Sequence, residues 1–156
     1  MEPLDRNIVQ ILAQDGRISF ADLGRQVGLS TSAVHQRVKR LEERGIIKGY
    51  RAVIDYPAVG LPMTALMSVT PYDPSAPDDI PERLADIEEI VACWSVAGDE
   101  YYVLLIRVGR PQDLEELLGR IRQVGSCSTN TTIVLSTPWE DRLGALPLES
   151  PDPPTT

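Results

Sequence analysis

Apolar residues recur every three or four positions through roughly the first 45 residues. Beyond residue 62 they fall in strand-like runs alternating with helical stretches, so the chain changes character partway along. In the first part, Leu4 and Asp5 read as a hydrophobic residue and N-cap opening a helix whose stripe is Ile8, Ile11 and Leu12, and "QDGR" ends it. Ser19 is placed to cap a second helix, "FADLGRQV", with Leu23 and Val27 on one face. Gly28 suits the left-handed residue that ends such a helix, Leu29 can tuck back against it, and Ser30 is the natural cap of a third. That third helix buries Val34, Val38 and Leu41 at i, i+4, i+7 spacing, and Gly45 stops it. Two helices joined by a short turn containing Gly form a helix-turn-helix, and Gly24, without a side chain, lets the pair approach closely.

After Gly45, "IIKGYRAVIDY" alternates as a strand or hairpin should, which predicts a wing and a first domain over residues 1–54. Pro57, Gly60 and Pro62 break every periodicity and mark a linker over 55–62. From residue 63 the order is a strand "MTALMSVTP", a helix "DIPERLADIEEI" with Leu84 and Ile87 inward, and strands "VACWSVAG" and "YYVLLIRV". A second helix "PQDLEELLGRIRQV" and a strand "STNTTIVLST" complete it. The fold class is therefore α+β, a winged helix-turn-helix followed by a ferredoxin-like β-α-β-β-α-β domain over 63–148. Its sheet has helices on one side only, and the apolar "YYVLLIRV" asks for a partner on the other, so the chain is expected to associate with itself. The Pro-rich, polar residues 149–156 are expected to be a disordered tail.

Charge sharpens this picture. The net charge of −8 is unevenly spread: residues 1–60 carry nine Lys/Arg against seven Asp/Glu, and residues 61–156 carry six against sixteen. An anionic partner therefore suits the first part alone. On the third helix, Ser32, Gln36, Lys39, Arg40 and Glu43 lie opposite the buried stripe, with His35 and Arg37 on its flanks. Mixed charge on one helix face is in most proteins a solvated surface. The capped helix, the glycine turn and the third helix together point instead to double-stranded DNA, read in the major groove. Ser30, Thr31, Ser32, His35 and Gln36 are the candidates near base edges and the helix start. Arg37, Lys39, Arg40, Lys48 and Arg51 are the candidates for phosphate.

From "LDRNIVQIL" through "DGRISFADLGRQVGLSTSAVHQRVKRLEERGIIKGYRAVID" to "AGDEYYVLL", "TTIVL" and the terminal "ALPL", the chain resembles the Lrp/AsnC, or feast/famine, transcriptional regulators. The resemblance implies dimers, in many members octamers built from four dimers, and a small-molecule effector such as an amino acid. The effector is bound near the loop joining the second and third strands. That loop holds Gly98, Asp99, Glu100, Tyr101 and Tyr102, with Thr129, Thr131 and Thr132 offering hydroxyls from the last strand. The family pattern has a second Asp where Tyr101 stands. A phenol cannot supply that charge to an effector's ammonium group, which leaves Asp99 and Glu100 to compensate.

Other chemistry is poorly supported. Cys93 and Cys127 fall on opposite edge strands, so no disulfide is expected between them, and both read as buried or half-buried free thiols. The one histidine, His35, leaves no metal site and no base to activate a cysteine, so no metal, cofactor or catalytic residue is expected. Tetrapyrrole (sirohaem) decarboxylases share the two-domain architecture but rely on histidines, and a chain with a single His fits them badly. A third reading is a module that no longer reads DNA and titrates a paralogue through mixed oligomers. The start "MEPLDRNIVQ" is not a signal peptide and no apolar run spans a bilayer, so the cytoplasm is the expected compartment and no membrane partner is expected.

Overall fold

A computed structural model describes residues 1–140 and residue 144. The chain divides into two compact units, residues 1–53 and residues 54–138, and Trp139 groups with the first. The predicted second domain ran on to residue 148. Its last part, the "ALPL" stretch and the 149–156 tail lie outside the described residues.

In the first unit, α1 (Pro3–Gln14), α2 (Phe20–Val27) and α3 (Thr31–Glu43) enclose a core of Ile8, Leu12, Leu23, Val34, Val38 and Leu41. Each fully buried aliphatic side chain here contributes about 1.5–3 kcal/mol. Ile11 and Val27 pack against that core from its margin. The N-cap of α1 is Glu2, not the predicted Asp5. Pro3 fits the first helical position because it has no N–H to lose, and this starts the helix early enough to put Asp5 in its first turn. Ser19 and Ser30 do cap α2 and α3, their hydroxyls accepting the amides of Asp22 (3.1 Å) and Ala33 (3.2 Å).

Gly28 ends α2 in the left-handed region at φ 73°, and the Leu29 amide donates back to the Gly24 carbonyl at 2.8 Å. A Cβ on Gly24 would stand 2.7 Å from the Leu29 carbonyl oxygen, so only glycine admits this close return of the chain. The strand or hairpin expected after Gly45 is not paired within the single chain: residues 46–55 hold no strand. Instead the segment is tied back to the helices. The Tyr50 hydroxyl donates to Glu42 at 2.9 Å, and its ring edge lies 3.5 Å from the position a Cβ would take on Gly16.

The second unit contains β1 (Met63–Pro71), α4 (Ile80–Leu84), β2 (Ile90–Ser95), β3 (Tyr102–Val108), α5 (Pro111–Gly125) and β4 (Cys127–Val134). The strands form one antiparallel sheet in the order β2-β3-β1-β4. Alternation places Ala65, Met67 and Val69 of β1 with Leu104 and Ile106 of β3 against Leu117 and Ile121 of α5 and Ile80 and Leu84 of α4. The expected twelve-residue helix around α4 is cut to five. Ile87 still packs on the core, but it does so from successive turns in which Ile87 and Ile90 donate to Leu84 and Ile87. Those turns deliver Ile90 to its place opposite Ile106.

On the other face of the sheet the register aligns Trp94, Val103 and Ser68 in one row and Ala92, Leu105 and Leu66 in the next. Leu66 is 39% and Trp94 48% exposed, so this face is apolar and uncovered in a single chain. Cys93 and Cys127 are free thiols on the two edge strands, Cys127 buried as expected and Cys93 exposed. Cys93 belongs to an edge strand that α5 does not cover closely. Among the described residues no helix is long and apolar enough to cross a membrane.

The loop between β1 and α4 is pinned by the Tyr102 hydroxyl, which donates to Asp78. That bond, then burial, pushes the Tyr102 phenol up to about 12. The protonated phenol is the form the fold favours. Its contribution is complete below the unfolded tyrosine's value of about 10 and is lost as pH rises through the folded value. Tyr102→Phe is expected to cost about 1 kcal/mol at neutral pH, the usual size for one hydrogen bond. In urea melts the gap between wild type and variant should hold to pH 10 and close toward pH 12. A gap that persists unchanged through that range would contradict the assignment.

Candidate nucleic-acid interface and effector cleft

The outer face of α3 follows from its inner one. With Val34, Val38 and Leu41 buried, Ser32, Gln36, Lys39 and Arg40 all stand exposed on the far side. Thr31 and Ser32 open the helix beside the Ser30 cap, and the Ser30 and Ser32 hydroxyls lie 3.2 Å apart. Lys39 is 67% exposed and meets Glu43 only at 3.7 Å, a surface pair that water and salt loosen easily. A helix N-terminus, short hydroxyls, an amide and two cations on one exposed strip are the groups that meet base edges and phosphates.

The flanks behave differently from that strip. His35 remains exposed, but its ring stacks on Phe20 of α2 with centroids 4.8 Å apart. Arg37, expected to hold phosphate, turns the other way. Its guanidinium donates to Asp5 at 2.7 Å and Glu2 at 2.9 Å on α1, and these bonds raise its pKa further. Asp5 was missed as a partner although the sequence signals it. It continues the Ile8 and Leu12 stripe at i, i+3, i+7, and a carboxylate on a buried stripe needs an opposite charge. Lys48 and Arg51 stand exposed on the segment after α3.

In the second unit, a cleft of about 330 Å³ lies at the β2–β3 loop, lined by Asp78, Ser95, Val96, Ala97, Gly98, Glu100, Tyr101 and Tyr102. Four of the five predicted loop residues therefore come together. Asp99 is exposed and does not line the cleft. Within one chain Thr129, Thr131 and Thr132 do not join it either, because β1 separates their strand from β3. They are also divided between faces. Thr129 and Thr131 share the helix side with Val69 and Met67, while Thr132 lies beside Leu66 on the open side. The Thr129 hydroxyl is engaged by Arg122 at 2.8 Å. The sequence offered the threonines as a β-branched run, and only the strand order reveals the distance.

The cleft holds Asp78 and Glu100 and no basic side chain in its lining. Asp78 accepts the Tyr102 hydroxyl at one of its oxygens, and Glu100 also lines the cleft. Among the described residues no cluster of three metal-ligating side chains is gathered. Burial pushes the Cys127 thiol up; at the exposed Cys93, partial desolvation by its neighbours and then the Glu82 charge act in the same direction.

Residues 1–48 match a family profile described as winged helix-turn-helix DNA-binding, and residues 64–143 match the Lrp/AsnC ligand binding domain. The chain is 49% identical to the HTH-type transcriptional regulator LrpA of Mycobacterium tuberculosis, over 91% of this chain and 95% of that protein. It is 34% identical to the leucine-responsive regulatory protein of Escherichia coli, over 86% and 85%. Among solved structures, the feast or famine regulatory protein from M. tuberculosis complexed with L-methionine superposes with a TM-score of 0.89. It shares 49% identity, with 92% of this chain and 97% of that one covered. The two profiles cover both units in order and the relatives match nearly end to end, so this chain belongs to the Lrp/AsnC family.

Proposed function

We propose that the protein is a cytoplasmic, sequence-specific transcriptional regulator that binds double-stranded DNA through α3 and carries no catalytic activity. The observation that carries this reading is the exposed strip of Ser32, Gln36, Lys39 and Arg40, set by two hydroxyl-capped helices and a glycine turn. Ser32 and Gln36 read bases, Ser30 and Thr31 meet backbone at the helix start, and Lys39, Arg40, Lys48 and Arg51 meet phosphate. His35 reaches bases only with the part of its ring that Phe20 leaves open. The decarboxylase alternative draws no support from relatives named as regulators, and the sole histidine packs on a neighbouring helix.

The apolar open face of the sheet supports a two-fold dimer, which would present two α3 helices to paired half-sites. The loop cleft supports an amino-acid effector. A relative binds L-methionine with a closely similar fold, and Glu100 is placed to meet an ammonium group where Tyr101 supplies no charge.

On an operator duplex, Lys39→Ala should weaken binding to every sequence and reduce the slope of log affinity against log salt by about one unit. Gln36→Ala should change which sequence is preferred. A changed preference from Lys39→Ala with its slope intact would reverse these roles. In light-scattering chromatography, Leu105→Asp should run as a monomer where the wild type runs as a dimer or a multiple of it. An unchanged mass would place the interface elsewhere. Calorimetry should show binding of L-methionine with an affinity that Glu100→Gln lowers at least about tenfold, the low end of the range for one charge-assisted hydrogen bond. Equal affinity for both proteins would remove Glu100 from the site.

A further inference from the structure

The buried stripe of α3 fixes which side of the helix faces inward but only loosely fixes its roll, because aliphatic contacts are non-directional. Directional contacts exist on both flanks. On one, His35 lies against Phe20 of α2; on the other, Arg37 reaches across to α1 and bridges Asp5 and Glu2. The bridge is partly withdrawn from water, with the Arg37 side chain 24% and that of Asp5 11% exposed. Charges in such a setting are held in one geometry, since breaking the pair strands a half-buried ion. Asp5 is also locked from below, one turn before Ile8 on the same face of α1. Both carboxylates lie at the N-terminal end of α1.

We propose that Arg37, bridged to Asp5 and Glu2, is a positioning residue for DNA recognition. The bridge sets the roll of α3, and hence which outer side chains reach base edges, and Arg37 itself does not touch DNA. The proposal rests on the reading of α3 as the recognition helix. It assigns to a residue at the margin of the DNA face a role in specificity and none in counterion release. Roll matters because the strip of Ser32, Gln36, Lys39 and Arg40 is narrow, and rotating it exchanges the amide for a cation at a given base edge.

The test compares wild type, Arg37→Ala, Asp5→Asn and the double variant. The probes are the duplex that the wild-type protein enriches from a random pool and a scrambled duplex of equal length, each at two salt concentrations. Each single variant should lower the ratio of enriched to scrambled affinity about tenfold, and the double variant should lower it less than about twofold further, as coupled partners do. The salt slope should stay at its wild-type value.

A phosphate-contacting Arg37 gives the opposite pattern. Arg37→Ala would then weaken both duplexes equally and take about one unit from the slope. Asp5→Asn, by releasing the guanidinium, would tighten both. Either result overturns the proposal. Thermal melts of the four proteins without DNA supply an independent readout: strictly additive losses for Asp5 and Arg37 would overturn the bridge. Failure of the wild type to enrich any duplex would count against the DNA reading alone. Should Asp5→Asn not fold, Glu2→Gln, at the exposed end of the bridge, replaces it with the same expected direction.

Discussion

The close return of the chain over Gly24 is the constraint on which the first unit turns. The Leu29 carbonyl sits where any side chain on Gly24 would begin, and this proximity lets the chain leave α2 through a left-handed Gly28 and enter α3 at the Ser30 cap with no spare residue. The path of α3 is then set by a turn only a few residues long. Its apolar stripe completes the core, and its flanks are held by α2 and α1. What remains facing outward is a strip of short polar and cationic side chains that no intrachain contact fully occupies. Function in this unit is what the packing leaves over.

The second unit divides its labour in a similar way. One face of the sheet meets two helices and forms a closed core, while the other presents Leu66, Leu105, Val103 and Trp94 with nothing over them in the single chain. Its acidity serves the same division. With six basic residues against sixteen acidic beyond residue 60, this half suits a polyanion poorly, whereas residues 1–60 carry nine basic against seven acidic. The cleft at the β2–β3 loop lies on this acidic unit, where Tyr102 anchors Asp78.

Periodicity and capping chemistry made much of this legible. Ser19, Ser30, Gly28 and Gly45 mark helix ends whose physics is local, and β1 appears with the bounds its apolar run indicates. Other features depend on partners distant in sequence. A helical wheel shows the angle of Arg37 and not the carboxylates of Glu2 and Asp5, more than thirty residues away, that it bridges in the single chain. The three threonines form one linear run, and the strand order that separates them from the cleft within one chain is invisible there. The region after α3 alternates like a wing, but alternation does not say what it pairs with, and within the single chain it holds no strand. The helix around α4 is shorter than its stripe suggests because the β2 register fixes where Ile90 must arrive.

The most direct test of the central claim is selection by the purified full-length protein from a pool of random duplexes at two salt concentrations, with sequencing of what is retained. The account predicts enrichment of one pseudo-palindromic sequence, with half-sites separated by about 34 Å or a multiple of it, and affinity that falls steeply with salt. Retention with no enriched sequence, or no retention even at low salt, would contradict it.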